Sequence, residues 1–165
     1  MDEAFIGGVR KGTRGRGAAG KRLVLVCAEV RGSAVGRTRL QVIQDATAVT
    51  LLGEIQMLVE SGSNDVTGGL SSYRGLSAIG CNRSVPRPTA EIGSNLVSKA
   101  YRVISWLKRW LLGTHQGGVA HVRLQSYLDA FVFRFNRRTA KSCGLLFRYL
   151  LEQAVIRGPV KRSHL

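Results

Sequence analysis

The sequence has 165 residues, of which 44% are hydrophobic, so it can bury the core of one domain and is too apolar for a disordered chain. Its formal net charge is +15, from 25 Lys and Arg against 10 Asp and Glu. No apolar run reaches the roughly 18 residues that a membrane span needs. Three widely spaced cysteines exclude a disulfide framework and a CxxC zinc site, and they favour reduced thiols in the cytoplasm.

The positive charge is unevenly distributed along the chain. Residues 4–44 hold nine bases and one acid, residues 45–79 hold one base and four acids, and residues 83–138 hold ten bases and two acids. This layout predicts an electropositive surface built from distant segments, which favours a nucleic-acid partner. A solvated, highly charged surface is the alternative, and an RNA-binding protein of ribosomal type would be equally basic.

Strands and one helix are predicted in the first half. Residues 2–6 and 21–30 are predicted strands, and 37–44 forms a hairpin with the second strand around a turn at 31–36. Asp45 is the expected N-cap of the helix that follows. The inward face of that helix is predicted to hold Val49, Leu52, Ile55 and Val59. A brief strand within 61–69, a short helix at 70–79 and a strand with a loop at 80–93 complete this half.

Helices are predicted in the second half, over about 96–112, 119–137 and 142–156. In the first of these, Gly113 is the expected C-terminal stop. Its apolar face is predicted to hold Val97, Tyr101, Ile104, Leu107 and Leu111. In the second, the inward face is predicted to hold Leu124, Tyr127, Leu128, Phe131 and Phe135. The order is strands, a helix, another strand and then helices, which is a mixed α/β order.

Basic residues in three segments are candidates for contact with a phosphate backbone. The segment GRGAAGKR (15–22) is similar in sequence to a phosphate-binding loop. However, Arg22 replaces the hydroxyl residue of that motif, and a strand follows where the motif requires a helix. We interpret the segment as a basic loop that either follows a phosphate backbone or is an ordinary surface loop. Trp106 and Trp110 either pack in the core or stack on unpaired bases. The candidate DNA contacts are Arg14, Arg16, Lys21, Arg102, Lys108, Arg109, Arg134, Arg137 and Arg138.

A series of short motifs follows in a fixed order and spacing. They are DEAFIGG, RGRGAAGKRLVLVCAEVRG, VGRTRLQVIQDATAVTL, GSNDVTGGLSSYRGLSAIG, LLGTHQG after WLKRW, and YLDAFVFRFNRR with CGLLFRYLLEQAV. Together they resemble the catalytic domain of bacterial insertion-sequence transposases of the DDE type, in the ISXO-like group. The resemblance covers about residues 2–156. It implies an RNase H-like α/β fold, in which helices flank a mixed central sheet and the C-terminal half is helical. It also implies an activity, the cutting and joining of DNA strands with Mg²⁺ or Mn²⁺.

The resemblance also implies where the metal ligands stand. Asp2 matches the first metal-binding acid of the family, Gly68 stands where the second acid is expected, and Tyr101 occupies the place of the third ligand. Asp65 is an odd number of residues before Gly68 on a strand, so we expect it to face away from that site. With only Asp2 left as a metal ligand, the resemblance implies a catalytically weak or inactive copy.

Members of this group usually carry an N-terminal DNA-recognition part, whereas Met1 here falls directly before the first acid. We therefore expect a truncated catalytic half, with a catalytic domain over 1–156 and a basic tail over 157–165. The implied partners are DNA and either a second copy or an intact transposase, in the cytoplasm at the nucleoid. A non-catalytic DNA-binding module or regulator derived from a transposase is the alternative function.

Overall fold

The elements follow the predicted order: three strands, a helix, two short strands around a 3-10 helix, and then helices. The computed structural model describes residues 1–7, 20–85, 98–115 and 120–157. The strands are β1 (Asp2–Ile6), β2 (Arg22–Arg31), β3 (Ala34–Ile43), β4 (Asn64–Val66) and β5 (Asn82–Ser84). The α-helices are α1 (Ala48–Leu58), α2 (Ser98–His115), α3 (Leu124–Asn136) and α4 (Cys143–Arg157), with 3-10 helices at Ser71–Ile79 and His121–Arg123.

The strands form an antiparallel sheet in the order β1-β2-β3 and a parallel pair, β4-β5. The β2-β3 hairpin turns more tightly than predicted, because both strands extend into the expected 31–36 turn. Gly32 has φ 54°, a left-handed conformation that glycine adopts without strain, and this allows the short connection. The Met1 amino group donates a hydrogen bond to the Val66 carbonyl, so β4 lies beside the start of β1.

Alternation along β2 divides the core between the two faces of the sheet. Val24 and Val26 face α2 and α3, whereas Leu25 and Cys27 face α1 and the 3-10 helix Ser71–Ile79. The larger core consists of Ala4, Ile6, Val24, Val26, Val35, Leu40, Ala100, Val103, Ile104, Leu107, Leu111, Leu124, Leu128 and Phe131. The smaller core consists of Met1, Leu25, Cys27, Ile43, Leu51, Ile55, Tyr73, Leu76 and Cys81.

The predicted cap of α1 was wrong, and so was Val49 on its predicted inward face. The predicted Ile55 is buried, and Leu52 and Val59 are partly buried against the smaller core. Thr47, which has extended backbone angles, is the N-cap and accepts from the Thr50 amide, whereas Asp45 accepts from the Thr47 amide and hydroxyl. The cap must directly precede the first helical residue, and here the helix begins later than predicted. Leu51 and Ile55 are the buried residues, and Val49 is 86% exposed.

The predicted apolar face of α2 was rotated by part of a turn at its N-terminal end. Ala100 and Val103 are buried there, while Tyr101 is 55% exposed. Further along the helix the predicted Ile104, Leu107 and Leu111 are buried. The helix also continues past Gly113 to His115. Trp106 and Trp110 are partly buried and pack against the larger core.

Side-chain amides from α3 complete the outer edge of β3. The Gln125 Oε1 accepts from the Val42 amide at 2.9 Å, and its Nε2 donates to the Leu40 carbonyl at 3.1 Å. The Asn136 side chain makes the same pair of bonds with the backbone of Thr38, at 2.7 and 2.9 Å. An edge strand normally leaves such groups open to another chain, and here a helix of the same chain occupies them.

Helix α4 differs from the other helices because its apolar side chains face solvent. Those exposed are Leu145, Phe147, Tyr149, Leu150, Leu151, Val155 and Ile156. Arg137 at the end of α3 lies over the Tyr149 ring at 5.8 Å.

No helix within the described ranges is both long and apolar enough to cross a membrane.

Candidate active site

Asp2 lies at the start of β1, on the face of the sheet that α2 covers. Its partner in register is Val26, whose side chain belongs to the core on that face. Burial raises the pKa of the Asp2 carboxyl, and the hydrogen bond from the Glu3 backbone and the nearby Met1 ammonium oppose the rise. Alternation sends Glu3 to the other face. On that face, burial is the largest cause of the raised pKa of Tyr73, and a hydrogen bond with Glu3 is the second largest. Asp2 is therefore the acid that faces α2.

Gly68 follows β4 and lies next to the Asp2 carboxylate. A β-carbon added at Gly68 would lie 3.9 Å from Asp2 Oδ1, with no other atom of the described residues, apart from its chain neighbours, within 4 Å. The position therefore has room for a side chain directed at Asp2. The same test at Gly69 meets nothing within 4 Å, so the proximity to Asp2 is specific to Gly68.

Arg83 fixes the turn that carries Gly68. From β5, its Nε donates to the Thr67 hydroxyl at 3.0 Å, and one terminal nitrogen donates to the carbonyls of Gly68 and Leu70, each at 3.2 Å. Thr67 itself is fully buried. Sequence reasoning missed Arg83, because only the parallel pairing of β4 with β5 brings it beside this turn.

Tyr101 lies on α2 within the electrostatic influence of the same carboxylate. Asp2 is the largest cause of the raised pKa of the Tyr101 phenol, followed by burial and then Glu3. The phenol is therefore neutral at physiological pH. Gly68 is thus next to Asp2, and Tyr101 is within the electrostatic influence of Asp2, while the roles that the resemblance implies for them stay predictions.

Among the described residues, the side chains around Asp2 do not supply the ligands of a site for two divalent ions. Magnesium and manganese prefer several carboxylate or carbonyl oxygens arranged around the ion. Gly68 offers no side-chain oxygen, and Tyr101 offers a neutral phenol. Across the described ranges, no group of three or more His, Cys, Asp or Glu side chains is arranged to hold a metal ion.

Asp65 lies on β4, away from this point. Its carboxyl hydrogen-bonds with Cys81 and is close to the Met1 ammonium, but burial is the larger effect and raises its pKa. It lines a cavity together with Cys27. Glu91, which could have served as a substitute acid, lies outside the described residues.

The candidate DNA contacts divide into exposed and engaged side chains. Arg102, Lys108 and Arg109 are exposed on α2, and Arg134 is exposed on α3. Lys21 is half-buried just before β2, while Arg14 and Arg16 lie outside the described residues.

Arg137 and Arg138 are engaged at the end of α3. The Arg137 guanidinium lies 3.9 Å from the Phe133 ring centre, and that of Arg138 lies 4.0 Å from the Phe135 ring centre. Arg138 also donates to the Val35 carbonyl. These bonds secure α3 to the start of β3, which is a structural role that the sequence did not reveal.

Comparison with known proteins agrees with this architecture. A family model described as "ISXO2-like transposase domain" matches residues 1–136. No curated protein matches the chain. Twelve chains of solved structures match. One is the catalytic core domain of BIV integrase, with 16% identity and a TM-score of 0.50 over 94% of this chain and 97% of that chain.

The integrase core confirms the RNase H-like fold class, since at this identity the similarity speaks for the fold alone. The family match ends before α4 and includes Asp2, Gly68 and Tyr101. It covers most of the chain, and the fold and the order of the motifs agree with it. The chain belongs to the ISXO2-like transposase domain family.

Proposed function

We propose that this chain is a DNA-handling transposase domain whose divalent-metal site is impaired. The observation that carries the proposal is the position of Gly68, where an added β-carbon would lie 3.9 Å from Asp2 Oδ1. A residue without a side chain thus stands beside the Asp2 carboxylate, which faces α2. The catalytic domain in this proposal is 1–156, and the tail is 157–165.

The impairment follows from the chemistry of the remaining groups. Two-metal phosphoryl transfer needs several oxygens to hold ions that activate the nucleophile and stabilise the leaving oxygen. Asp2 alone supplies one carboxylate, which is also half-buried. Mg²⁺ or Mn²⁺ would bind weakly here, so cutting and joining of DNA would be slow or absent.

Restoring the ligands tests this proposal. In the double variant Gly68→Asp, Tyr101→His, we expect calorimetry to detect Mn²⁺ binding at least about tenfold tighter than in the unmodified chain. Strand transfer with pre-cut element ends and Mn²⁺ should rise in parallel. Each single variant should do little, because metal ligands act as a unit.

Gly69→Asp is the matched control. It adds the same charge one residue away, where an added β-carbon meets nothing within 4 Å. This variant should leave Mn²⁺ binding unchanged. Robust strand transfer by the unmodified chain would contradict the proposal, and so would equal Mn²⁺ affinity in the Gly69→Asp control and the double variant.

A non-catalytic DNA-binding regulator is the second candidate, favoured by the net charge of +15 and the exposed bases on α2. In this role the chain occupies DNA at the nucleoid in the cytoplasm, as a homo-oligomer or with an intact transposase. Adding the chain without Gly68→Asp or Tyr101→His to an intact transposase of the family should lower the strand transfer by that transposase. Stronger binding to RNA than to duplex DNA would count against both candidates.

A further inference from the structure

Helix α4 lies outside both cores of the molecule. In the described part of the chain, neither core includes a residue of α4. Arg137 links the helix to α3, since its guanidinium lies 3.9 Å from the Phe133 ring centre and 5.8 Å from that of Tyr149. A helix of 15 residues is only marginally stable in water when little packs against it. A partner that packs against α4 would therefore stabilise it.

One face of α4 points away from the rest of the molecule. Leu146 is half-buried, so it marks the side of the helix that faces the body. Leu145, Arg148, Glu152 and Val155 lie on the other side, within a sector of roughly 80° at 3.6 residues per turn. All four are exposed, and Val155 is 81% exposed. We call these four residues the α4 stripe.

The α4 stripe is symmetric about the middle of the helix. Leu150 is the central residue of α4. Arg148 and Glu152 each lie two residues from it, and Leu145 and Val155 each lie five residues from it. A twofold axis at the level of Leu150 would place a second α4 antiparallel to the first. Each Arg148 would then be level with a Glu152 of the other copy, and each Leu145 with a Val155.

The charges of the stripe favour this antiparallel pairing. Within one chain, the Arg148 Nε donates to the Glu152 Oε1 at 2.8 Å, but both side chains are exposed and the pair adds little stability. Between two antiparallel helices the same groups form two ion pairs, which the apolar contacts of Leu145 with Val155 at both ends shield from water. Shielding strengthens ion pairs. A parallel arrangement would instead set Arg148 against Arg148 and Glu152 against Glu152, which repel each other.

The acid in the middle of the stripe indicates the kind of partner. Glu152 disfavours a nucleic acid or an anionic membrane, because both are negatively charged. Each chain carries a net charge of +15, but residues 143–157 hold only two bases and one acid. Two copies that meet through α4 therefore approach where repulsion between them is low. The family match ends at residue 136, so α4 lies beyond the part that the family model describes.

We propose that α4 is a dimerisation helix, which pairs antiparallel with α4 of a second copy along the α4 stripe. Leu151 and Ile156 are exposed beside the stripe and add apolar contacts at its margins. The stripe is about 15 Å long at 1.5 Å per residue, so the interface is small and we expect a Kd on the order of tens of micromolar. This dimer assigns a surface to the homo-oligomer considered above, and it does not depend on whether the chain cuts or binds DNA.

Two charge-reversal variants, measured separately and then mixed, test this proposal. Arg148→Glu alone sets like charges against each other across the interface, and so does Glu152→Arg. Analytical ultracentrifugation should show that each variant dimerises at least about tenfold more weakly than the unmodified chain. An equal mixture of the two variants should regain dimers, because every acid of one chain then meets a base of the other. This recovery requires contact between chains, since neither variant can form the ion pair within its own α4.

Arg74→Glu is the matched control, because it makes the same charge change at an exposed position outside α4 and should leave dimerisation unaltered. An unmodified chain that stays monomeric at millimolar concentration would overturn the proposal. So would a mixture that associates no more than the separate variants, or a dimer that neither reversal weakens. If the monomeric chain instead binds vesicles of phosphatidylglycerol and Val155→Asp abolishes that binding, a lipid surface covers α4 and the proposal is wrong.

Discussion

Asp65 shows how the placement of one side chain couples folding to pH. Its pKa lies above the ordinary value because burial outweighs the hydrogen bond with Cys81 and the nearby Met1 ammonium. The exposed Asp45 has the opposite shift, since hydrogen bonds from the Thr47 side chain and backbone lower its pKa. The two carboxyls thus make opposite contributions to the pH dependence of stability.

The Asp65→Asn variant should be more stable than the unmodified chain at neutral pH. A carboxyl whose folded pKa is raised stabilises the fold while it is protonated, and that contribution is lost as pH rises through the folded pKa. The advantage of Asp65→Asn should therefore be absent at about pH 3 and fully present at about pH 7. Urea denaturation at both pH values measures it.

Asp45→Asn is the control with the opposite sign. Its lowered pKa means that ionised Asp45 stabilises the fold above its ordinary pKa, and that this contribution is lost as pH falls. Asp45→Asn should therefore be the less stable protein at neutral pH. A neutral-pH loss of stability in Asp65→Asn would contradict the electrostatic account of that residue.

At the level of elements, α3 protects the edge of β3 by using side-chain amides in place of a fourth strand. Gln125 and Asn136 are eleven positions apart, about three turns of helix, so both amides face the same strand. Each satisfies one amide and one carbonyl of β3. The helix therefore contributes hydrogen bonds to the sheet in addition to apolar packing.

Removing these amides should open the edge of β3. We expect Gln125→Ala with Asn136→Ala to lower the free energy of unfolding by about 1–3 kcal/mol, because four backbone groups lose their partners. The exposed strand edge should also promote association that increases with concentration. Urea denaturation and light scattering measure the two effects.

Ser126→Ala, an exposed change on the same helix, is the control for this prediction and should leave both measurements unaltered. Unchanged stability and monomer mass in the double variant would show that water replaces the amides without loss.

The same elements show how far the sequence could predict the structure. Periodicity located the strands and helices, since it reflects burial along each element. It misplaced Tyr101 and Val49, because a shift of one residue within a helix rotates the face by about 100°. The bonds of Arg83 and Gln125 could not be predicted, as they depend on which segments meet in three dimensions. The grouping of Asp2 with Gly68 was accessible only through the family resemblance.

On the scale of the whole molecule, α2 and α4 expose different kinds of side chain. Arg102, Lys108 and Arg109 are exposed on α2, while the exposed surface of α4 is largely apolar, with an ion pair between Arg148 and Glu152 at 2.8 Å. A surface pair of this kind contributes little stability. In the described part of the chain, α2 thus has more exposed basic side chains than α4.

Duplex DNA binding should depend strongly on salt, with log affinity falling linearly against log salt concentration. Lys108→Ala with Arg109→Ala should reduce the slope by about two if both side chains contact phosphates. The control Arg74→Ala with Arg148→Ala removes the same charge from exposed positions elsewhere and should leave the slope unchanged. Fluorescence anisotropy over a salt series measures both, and equal slopes would exclude α2 as the contact surface.

The open space at Gly68 has a genetic consequence. Every glycine codon is a single base change from a codon for aspartate or glutamate, and every tyrosine codon is a single change from one for histidine. Among the described residues, only Asp2 lies within 4 Å of a β-carbon added at Gly68, so the position has room for that carbon. A lineage carrying this sequence could therefore regain a set of metal-binding side chains by point mutation alone, without rebuilding its scaffold.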